Sequence, residues 1–270
     1  MKSRTYIILI CLISACNFDD NPAVFDPPVI EAFLFANEPI DDIKLTTTVP
    51  LEYADSSGSP ITDARVVLIK QNQIYQLEPS QEAGYYYYPG NDLTVETADQ
   101  FRLEVEWKGQ LSYGETVVPP PTEGVAIDTE LIEIPVITGP QILQLIGRMQ
   151  INFTWENPNQ ELHFVLLENI EPTADLEFIL PEMVQNIAAR FRVISAPTVE
   201  TTHTINVLSL QYLGTHRVRV YRVNREYADL YTSRTQDSRD LNEPASNIIN
   251  GIGIFSAFNS DSAFFEVKRR

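Results

Sequence analysis

Cysteine is almost missing from this sequence of 270 residues. Only Cys11 and Cys16 are present, and both lie close to the first residue. Exported proteins with small cores are usually held by several cysteine pairs, so this count excludes a disulfide-stapled framework. Burial of apolar surface must therefore stabilise the folded part of the chain. The hydrophobic content of 44% is that of a globular protein.

Positive charge is also scarce. The chain carries 19 Lys and Arg against 37 Asp and Glu, and its formal charge is −18. Loss of residues 1–15 would remove Lys2 and Arg4 and bring this charge to −20. No cluster of Lys and Arg is present, and a chain this acidic is repelled by phosphate backbones. The sequence therefore excludes a nucleic-acid partner.

Motifs for common catalytic and metal sites are missing. His163, His203 and His216 stand alone in strand-like segments, without the spacing of a zinc site. There is no G-x-S-x-G elbow, and Cys16 is the only thiol outside residues 1–15. Carboxylates are so abundant that the sequence nominates no acid–base pair. We predict no catalytic residue, no cofactor and no metal, and we do not expect an enzyme.

The first sixteen residues have the anatomy of a lipoprotein signal. A positively charged start is followed by an apolar run over residues 6–13 and by a Ser-Ala pair directly before Cys16. The run is too short to span a bilayer and has the length of a signal-peptide core. This order resembles a bacterial lipobox and predicts a signal peptide over residues 1–15 and a lipid anchor on Cys16. An ordinary signal peptide with an incidental cysteine is the alternative.

An acidic, proline-bearing segment follows the cysteine. Residues 16–27 read CNFDDNPAVFDP, which is typical of a flexible tether. The acidic pair resembles the surface-export signal of Bacteroidota lipoproteins, although a solvated linker has a similar composition. We expect a protein of the outer membrane whose folded part faces the cell exterior.

Seven short segments between residues 28 and 118 are rich in β-branched and aromatic residues. They are VIEAFLF, IKLTTTV, ARVVLIK, QIYQLE, GYYYYP, FRLEVEW and LSYGETVV. Apolar residues occupy every second position from Phe101 to Trp107, which is typical of a half-buried strand. Lys108 and Gly109 then have the composition of a hairpin tip. The pattern predicts an antiparallel β-sandwich over residues 28–118.

Three consecutive prolines interrupt this pattern and predict a stiff linker over residues 119–124. Strand patterns then return and predict a second β-sandwich-like domain over residues 125–270. Residues 148–158 and 162–170 look like a strand pair joined by a loop. GIGIFSAFN and SAFFEVK are predicted as the final strands.

Two segments of the second domain do not fit a strand. Residues 173–190 have irregular spacing and an internal Pro181, which favours a short helical or irregular insertion. Residues 224–235 place Tyr227, Leu230 and Tyr231 on one side of a helix that Asn224 could cap. The predicted fold class is therefore mainly β, with two antiparallel β-sandwich domains and a helix near the end.

Two segments are candidate binding sites. Strand alternation sends Tyr85 and Tyr87 to one face and Tyr86 and Tyr88 to the other, so one pair is a candidate aromatic platform for a sugar or peptide. Plain packing at the rim of the sheet is the alternative. Residues 237–243 carry oxygens for calcium but lack the order of a calcium loop, so we predict a solvated loop there, and calcium binding is the alternative.

Six longer segments carry a resemblance to a known family. They are PPVIEAFLFANEPIDDIKLTTTVPL, PITDARVVLI, GYYYYPG, FRLEVEWKGQLSYGETVVPPPT, HRVRVYRVNREYADLYTS and EPASNIINGIGIFSAFNSDS. Together they resemble a Bacteroidota lipoprotein family of unknown function, DUF4249. The last departs slightly from the family pattern, because ASNIING stands where proline often precedes the serine. The resemblance covers almost the whole chain after the signal.

The resemblance implies an outer-membrane lipoprotein built from immunoglobulin-like or transthyretin-like sandwiches, the second of them fibronectin-like. Its members are commonly associated with TonB-dependent receptor barrels, which implies a non-catalytic role in nutrient uptake with such a barrel as partner. The family offers no catalytic residue to carry over. A surface glycan hydrolase with a carboxylate pair and a structural or adhesive protein remain the alternatives, and the sequence does not name the ligand.

Overall fold

The computed structural model describes residues 26–49, 58–172, 177–179, 192–234 and 245–270. Cys16 and almost all of the predicted tether lie outside these residues. So do the candidate calcium segment 237–243 and the predicted insertion 173–190, apart from residues 177–179.

Strands dominate the described residues, and two α-helices accompany them. The strands are β1 Val29–Phe35, β2 Asp42–Thr46, β3 Arg65–Lys70, β4 Gln73–Gln76, β5 Glu78–Pro79, β6 Tyr85–Tyr87, β7 Gln100–Trp107, β8 Gln110–Val117, β9 Glu123–Ile127, β10 Leu131–Ile134, β11 Gln150–Glu156, β12 His163–Asn169, β13 Arg192–Ile194, β14 Thr202–Asn206, β15 Gly214–Val223 and β16 Ile252–Arg269. The helices are α1 Pro140–Ile146 and α2 Arg225–Arg234. The prediction of a mainly β chain with a helix near residues 224–235 is confirmed.

The described strands form three sheets. The main sheet has the order β13-β12-β15-β16-β1-β2-β6-β5, and β10 also pairs with β16. The first small sheet has the order β4-β3-β7-β8, and the second small sheet has the order β14-β11-β9. The pairings of β1 and β10 with β16 are parallel, whereas the other pairings of these strands are antiparallel. The antiparallel character predicted from the sequence holds except at these two pairings.

Strand β16 belongs to both halves of the main sheet. Its residues 252–258 pair with β1, and its residues 266–269 pair with β10. Phe255 packs in a first core under the first small sheet, and Phe265 packs in a second core under the second small sheet. Residues an even number of positions apart share a face of a strand, so both cores lie on one face of the main sheet. The prediction of two final strands is wrong, because residues 252–269 form one continuous strand.

The first core combines the main sheet with the first small sheet. On β7 the residues Phe101, Leu103 and Val105 are buried and alternate with more exposed ones, as predicted. They pack with the inward face of β1, which carries Ile30 and Leu34. The β7–β8 turn at Lys108 and Gly109 has positive φ at both residues, the conformation that suits a two-residue hairpin.

The second core places β11 and β12 in different sheets. Strand β11 pairs with β14 and β9, whereas β12 pairs with β13 and β15. The prediction that these strands pair with each other is therefore wrong. Both strands turn apolar residues inward, and Phe153 of β11 approaches Phe265 of β16 with 6.2 Å between ring centroids. The connecting loop therefore crosses between two facing sheets and does not close a hairpin.

The proline-rich segment is fixed along the middle of the main sheet. The side chain of Asn259 donates a 2.9 Å hydrogen bond to the carbonyl of Pro119. The hydroxyl of Thr122 donates a 2.7 Å bond to the carbonyl of Val220. The division into domains at residues 119–124 stays a prediction. Strand β16 lies within the predicted second domain but also completes the first core.

The face assignment of β16 can be tested with adjacent phenylalanines. Phe265→Ala and Phe255→Ala each remove a ring from a core and should lower the free energy of unfolding by about 3–5 kcal/mol. Phe264 is the matched control, because it is 50% exposed on the other face of the same strand. Phe264→Ala should cost less than about 1 kcal/mol in urea denaturation. An equal loss at Phe264 and Phe265 would contradict the assignment.

Buried His216 should make stability depend on pH. Its ring stacks on Phe265 at 5.0 Å, and burial lowers its pKa from 6.5 to about 4. The unfolded chain binds more protons between these values, so this contribution to stability is lost as the pH falls from about 6.5 to 4. His216→Gln should reduce that loss by about 2–3 kcal/mol, measured by urea denaturation at both ends of the window. An unchanged pH profile in the variant would contradict this role.

Candidate functional site

Aromatic side chains gather on the face of the main sheet that is turned away from both cores. Phe33 and Phe35 of β1 alternate with the buried core residues of that strand and therefore point to this face. The parallel pairing sets Phe258 of β16 beside Phe35. The antiparallel pairings then add Val223, Tyr221 and Phe164 from β15 and β12. Four strands from distant parts of the sequence thus supply one aromatic surface.

These rings enclose a pocket, called here the aromatic pocket. The Phe35 and Phe258 rings are stacked with 5.2 Å between centroids, and those of Phe164 and Tyr221 with 4.9 Å. Tyr227 of α2 meets Phe258 edge-on at 5.0 Å and covers part of the cluster. The cavity holds about 250 Å³. Its lining is Phe33, Phe35, Glu38, Asp42, Phe164, Leu166, Glu168, Ile194, Arg219, Tyr221, Tyr227 and Phe258.

Charged side chains border one side of the aromatic pocket. Arg219 donates a 2.7 Å hydrogen bond to the Tyr221 hydroxyl, and it forms ion pairs with Glu38 and Glu168. Arg217 donates a 2.7 Å bond to the same Glu168 carboxylate. Burial, with the nearby Glu38 carboxylate, raises the pKa of Tyr221, which therefore keeps its proton. The arrangement offers an apolar floor with fixed polar groups at one edge.

A second cavity lies on the opposite face of the main sheet, where the proline-rich segment crosses between the two cores. This seam cavity has a volume of about 310 Å³. Residues 117–120 and Thr97 form one wall, and Glu161 and Arg222 belong to the other. A third and larger depression of about 570 Å³ follows β7 and β8, but it is open and lined mainly by polar side chains.

The tyrosine segment 85–88 contributes to packing as well as to the surface. Tyr86 is fully buried in the first core, where its hydroxyl donates to the Ile61 carbonyl and accepts from the Ala64 amide. The Tyr88 hydroxyl donates to Asp92, which raises its pKa to about 12. Tyr86 therefore has no surface to offer to a ligand. A binding role for the partly exposed Tyr85 and Tyr87 stays a prediction.

The histidines do not assemble a metal site. His163 and His216 are buried on β12 and β15, and His203 lies on β14 in the second small sheet. Burial lowers the pKa of each of them, so all three are neutral at pH 7. Within the described ranges, no three potential ligands from His, Cys, Asp and Glu come together. No described helix is long and apolar enough to span a membrane.

The aromatic pocket was not predicted from the sequence. Its aromatic residues come from β1, β12, β15, β16 and α2, and the pairing of β1 with β16 brings the residues of β1 beside the others. One signal was nevertheless present. VIEAFLF carries apolar side chains on both faces, which exceeds what a strand with one solvated face needs.

Comparison with known proteins gives a family but no activity. A search of curated proteins found no match. Titin domains A168-A170 share 13% identity over 90% of this chain and 67% of their own, with a TM-score of 0.20. Titin domains Z1Z2, solved in complex with telethonin, share 10% identity over 90% of this chain and 98% of their own, with a TM-score of 0.21. The family model described as "Domain of unknown function (DUF4249)" matches residues 19–263, and the chain belongs to this family.

Proposed function

We propose that this protein is a lipid-anchored binding protein of the outer membrane that holds a small ligand in the aromatic pocket. In this role it serves as a non-catalytic accessory component of TonB-dependent nutrient uptake. The observation that carries the proposal is the aromatic pocket itself, a concave apolar site bordered by fixed polar groups. Such a combination is typical of small-molecule sites. It also counts against a purely structural or adhesive role.

The lining of the aromatic pocket favours a ligand with a flat apolar face and a polar edge. The partly exposed rings of Phe33 and Phe35 offer surface on which a sugar ring or an aromatic side chain can stack. The Tyr221 hydroxyl and Arg219 lie at one side, where they can bind a hydroxyl or carboxylate of the ligand. A volume of about 250 Å³ suits a single ring with its substituents.

The proposed location rests on the sequence. The apolar run before Cys16 and the acidic tether behind it support an acylated cysteine and a surface-exposed domain. The resemblance to outer-membrane lipoproteins associated with TonB-dependent receptors supports a barrel partner. A tether of this kind would hold the aromatic pocket within reach of a receptor in the same membrane.

Two exposed isoleucines allow a matched test of the aromatic pocket. Ile194 lines the pocket and is 61% exposed, while Ile74 on the edge strand β4 is 60% exposed and lies elsewhere. Methyl glycosides and aromatic amino acids serve as probes in calorimetric titrations. Loss of apolar contact in Ile194→Ala should weaken a bound probe about three- to tenfold, whereas Ile74→Ala should bind as the wild type. Equal binding by both variants would argue against the pocket.

The anchor and the partner can be tested in native membranes. Mass spectrometry should find that the mature protein begins with an acylated Cys16. Several acyl chains buried in a bilayer hold a protein firmly in the membrane. Cys16→Ala should move the protein into the soluble fraction without changing its fold. Extraction in mild detergent should recover the wild type together with an outer-membrane receptor barrel. Recovery only as a free monomer would count against the role in uptake.

A further inference from the structure

Unpaired polar atoms are concentrated at one place beside the seam cavity. Within the described part of the chain, three buried side-chain nitrogens have neither a hydrogen-bond nor an ion-pair partner: Trp155 Nε1, His163 Nε2 and Arg222 Nε. Glu161 Oε2 lies beside them and is held by an ion pair with Arg222 Nη1. Native proteins leave few buried polar groups unpaired, because each one costs about 1–3 kcal/mol. Three such atoms in one neighbourhood therefore call for a partner from outside the chain.

The four residues form one connected group. The rings of Trp155 and His163 are 6.0 Å apart, and His163 Nδ1 lies 3.1 Å from the backbone carbonyl of Glu161. Arg222 is the cross-strand neighbour of His163, and its Nη1 lies 3.1 Å from Glu161 Oε2. Glu161 and Arg222 also line the seam cavity. His163 is fully buried and Trp155 is 4% exposed, so bulk water does not reach them freely.

The group presents both donors and acceptors. Trp155 Nε1 and Arg222 Nε can only donate, and Glu161 Oε2 accepts. A carbonyl cannot donate, so His163 Nδ1 carries the proton toward Glu161. Burial lowers the pKa of His163 and keeps its ring neutral, which leaves Nε2 as an acceptor. The missing partner must therefore accept hydrogen bonds from Trp155 and Arg222 and donate one to His163.

This balance restricts the chemical class of the ligand. A carboxylate or phosphate could accept from Trp155 and Arg222, but a carboxylate has no proton for His163, and either anion is repelled by Glu161. An ammonium group could donate but would face Arg222 and the donor of Trp155. A hydroxyl both donates and accepts, and adjacent hydroxyls on a ring can satisfy several of these atoms together.

We propose that the seam cavity, together with Trp155, Glu161, His163 and Arg222, is a binding site for a neutral polyhydroxylated ligand such as a single sugar ring. The site is separate from the aromatic pocket and lies on the other face of the main sheet. Its walls come from Thr97 and the proline-rich segment on one side and from Glu161 and β15 on the other, so the ligand would contact both halves of the molecule. The volume of about 310 Å³ accommodates one such ring.

The two tryptophans of the full chain provide a direct readout. In Trp107→Phe the remaining Trp155 reports on the seam cavity, and neutral monosaccharides (glucose, galactose, mannose and xylose) are the probes. At least one of them should produce a saturable change in emission. Trp155→Phe is the matched control, because the remaining Trp107 lies in the first core with its Nε1 bonded to Asp63 and should not respond.

Two further variants assign the response to the seam cavity. Arg222→Lys removes Nε while keeping the charge, and His163→Phe removes the acceptor while keeping a ring. Each should raise the half-saturating sugar concentration about tenfold or more. His163→Phe should leave the unfolding midpoint without sugar unchanged or higher, because it removes an unpaired buried atom.

Two results would overturn the proposal. The first is the lack of any saturable response, with ordered water alone on the three unpaired nitrogens in a crystal soaked in the same sugars. The second is a response that survives Arg222→Lys and His163→Phe but is lost in Ile194→Ala. That result would place sugar binding in the aromatic pocket, so it would support the proposed function while removing the seam site.

Discussion

The structure depends on one strand that serves two cores. Strand β16 pairs with β1 along its first part and with β10 at its end, and it carries Phe255 into the first core and Phe265 into the second. Neither core is complete without it. The β1–β16 pairing also joins Val29 to Ile252, so the first core closes only when residues 252–258 have joined it. Such distant pairing is costly in chain entropy and slows folding.

The same strand positions both candidate sites. Phe258 faces the aromatic pocket, while the next residue, Asn259, faces the opposite side and holds the Pro119 carbonyl near the seam cavity. Helix α2 is held at this point too, because Asn224 just before it donates hydrogen bonds to the carbonyls of Val117 and Ala257. Both candidate sites thus occur where the two halves meet, and any shift of β16 would alter both of them.

Local patterns in the sequence predicted much of the secondary structure. The strands around Val29–Phe35 and Gln100–Trp107 and the helix Arg225–Arg234 follow from period-two and helical spacing. Pairing partners do not follow from such spacing. The parallel pairing of β1 with β16 and the placement of β11 and β12 in facing sheets depend on contacts between distant segments. The aromatic pocket and the seam cavity arise from these contacts and were therefore not predictable. The candidate platform at Tyr85–Tyr88 was predicted because these tyrosines are adjacent in the sequence.

The shared strand implies that the two cores unfold together. Trp107 belongs to the first core and Trp155 to the second, and they are the only tryptophans of the chain. The most direct measurement is urea denaturation of the Trp107→Phe and Trp155→Phe variants, in which fluorescence from the remaining tryptophan is compared with circular dichroism of the same sample. In each variant the two signals should give one coincident transition. Two separate transitions, with the fluorescence following only one of them, would contradict the account.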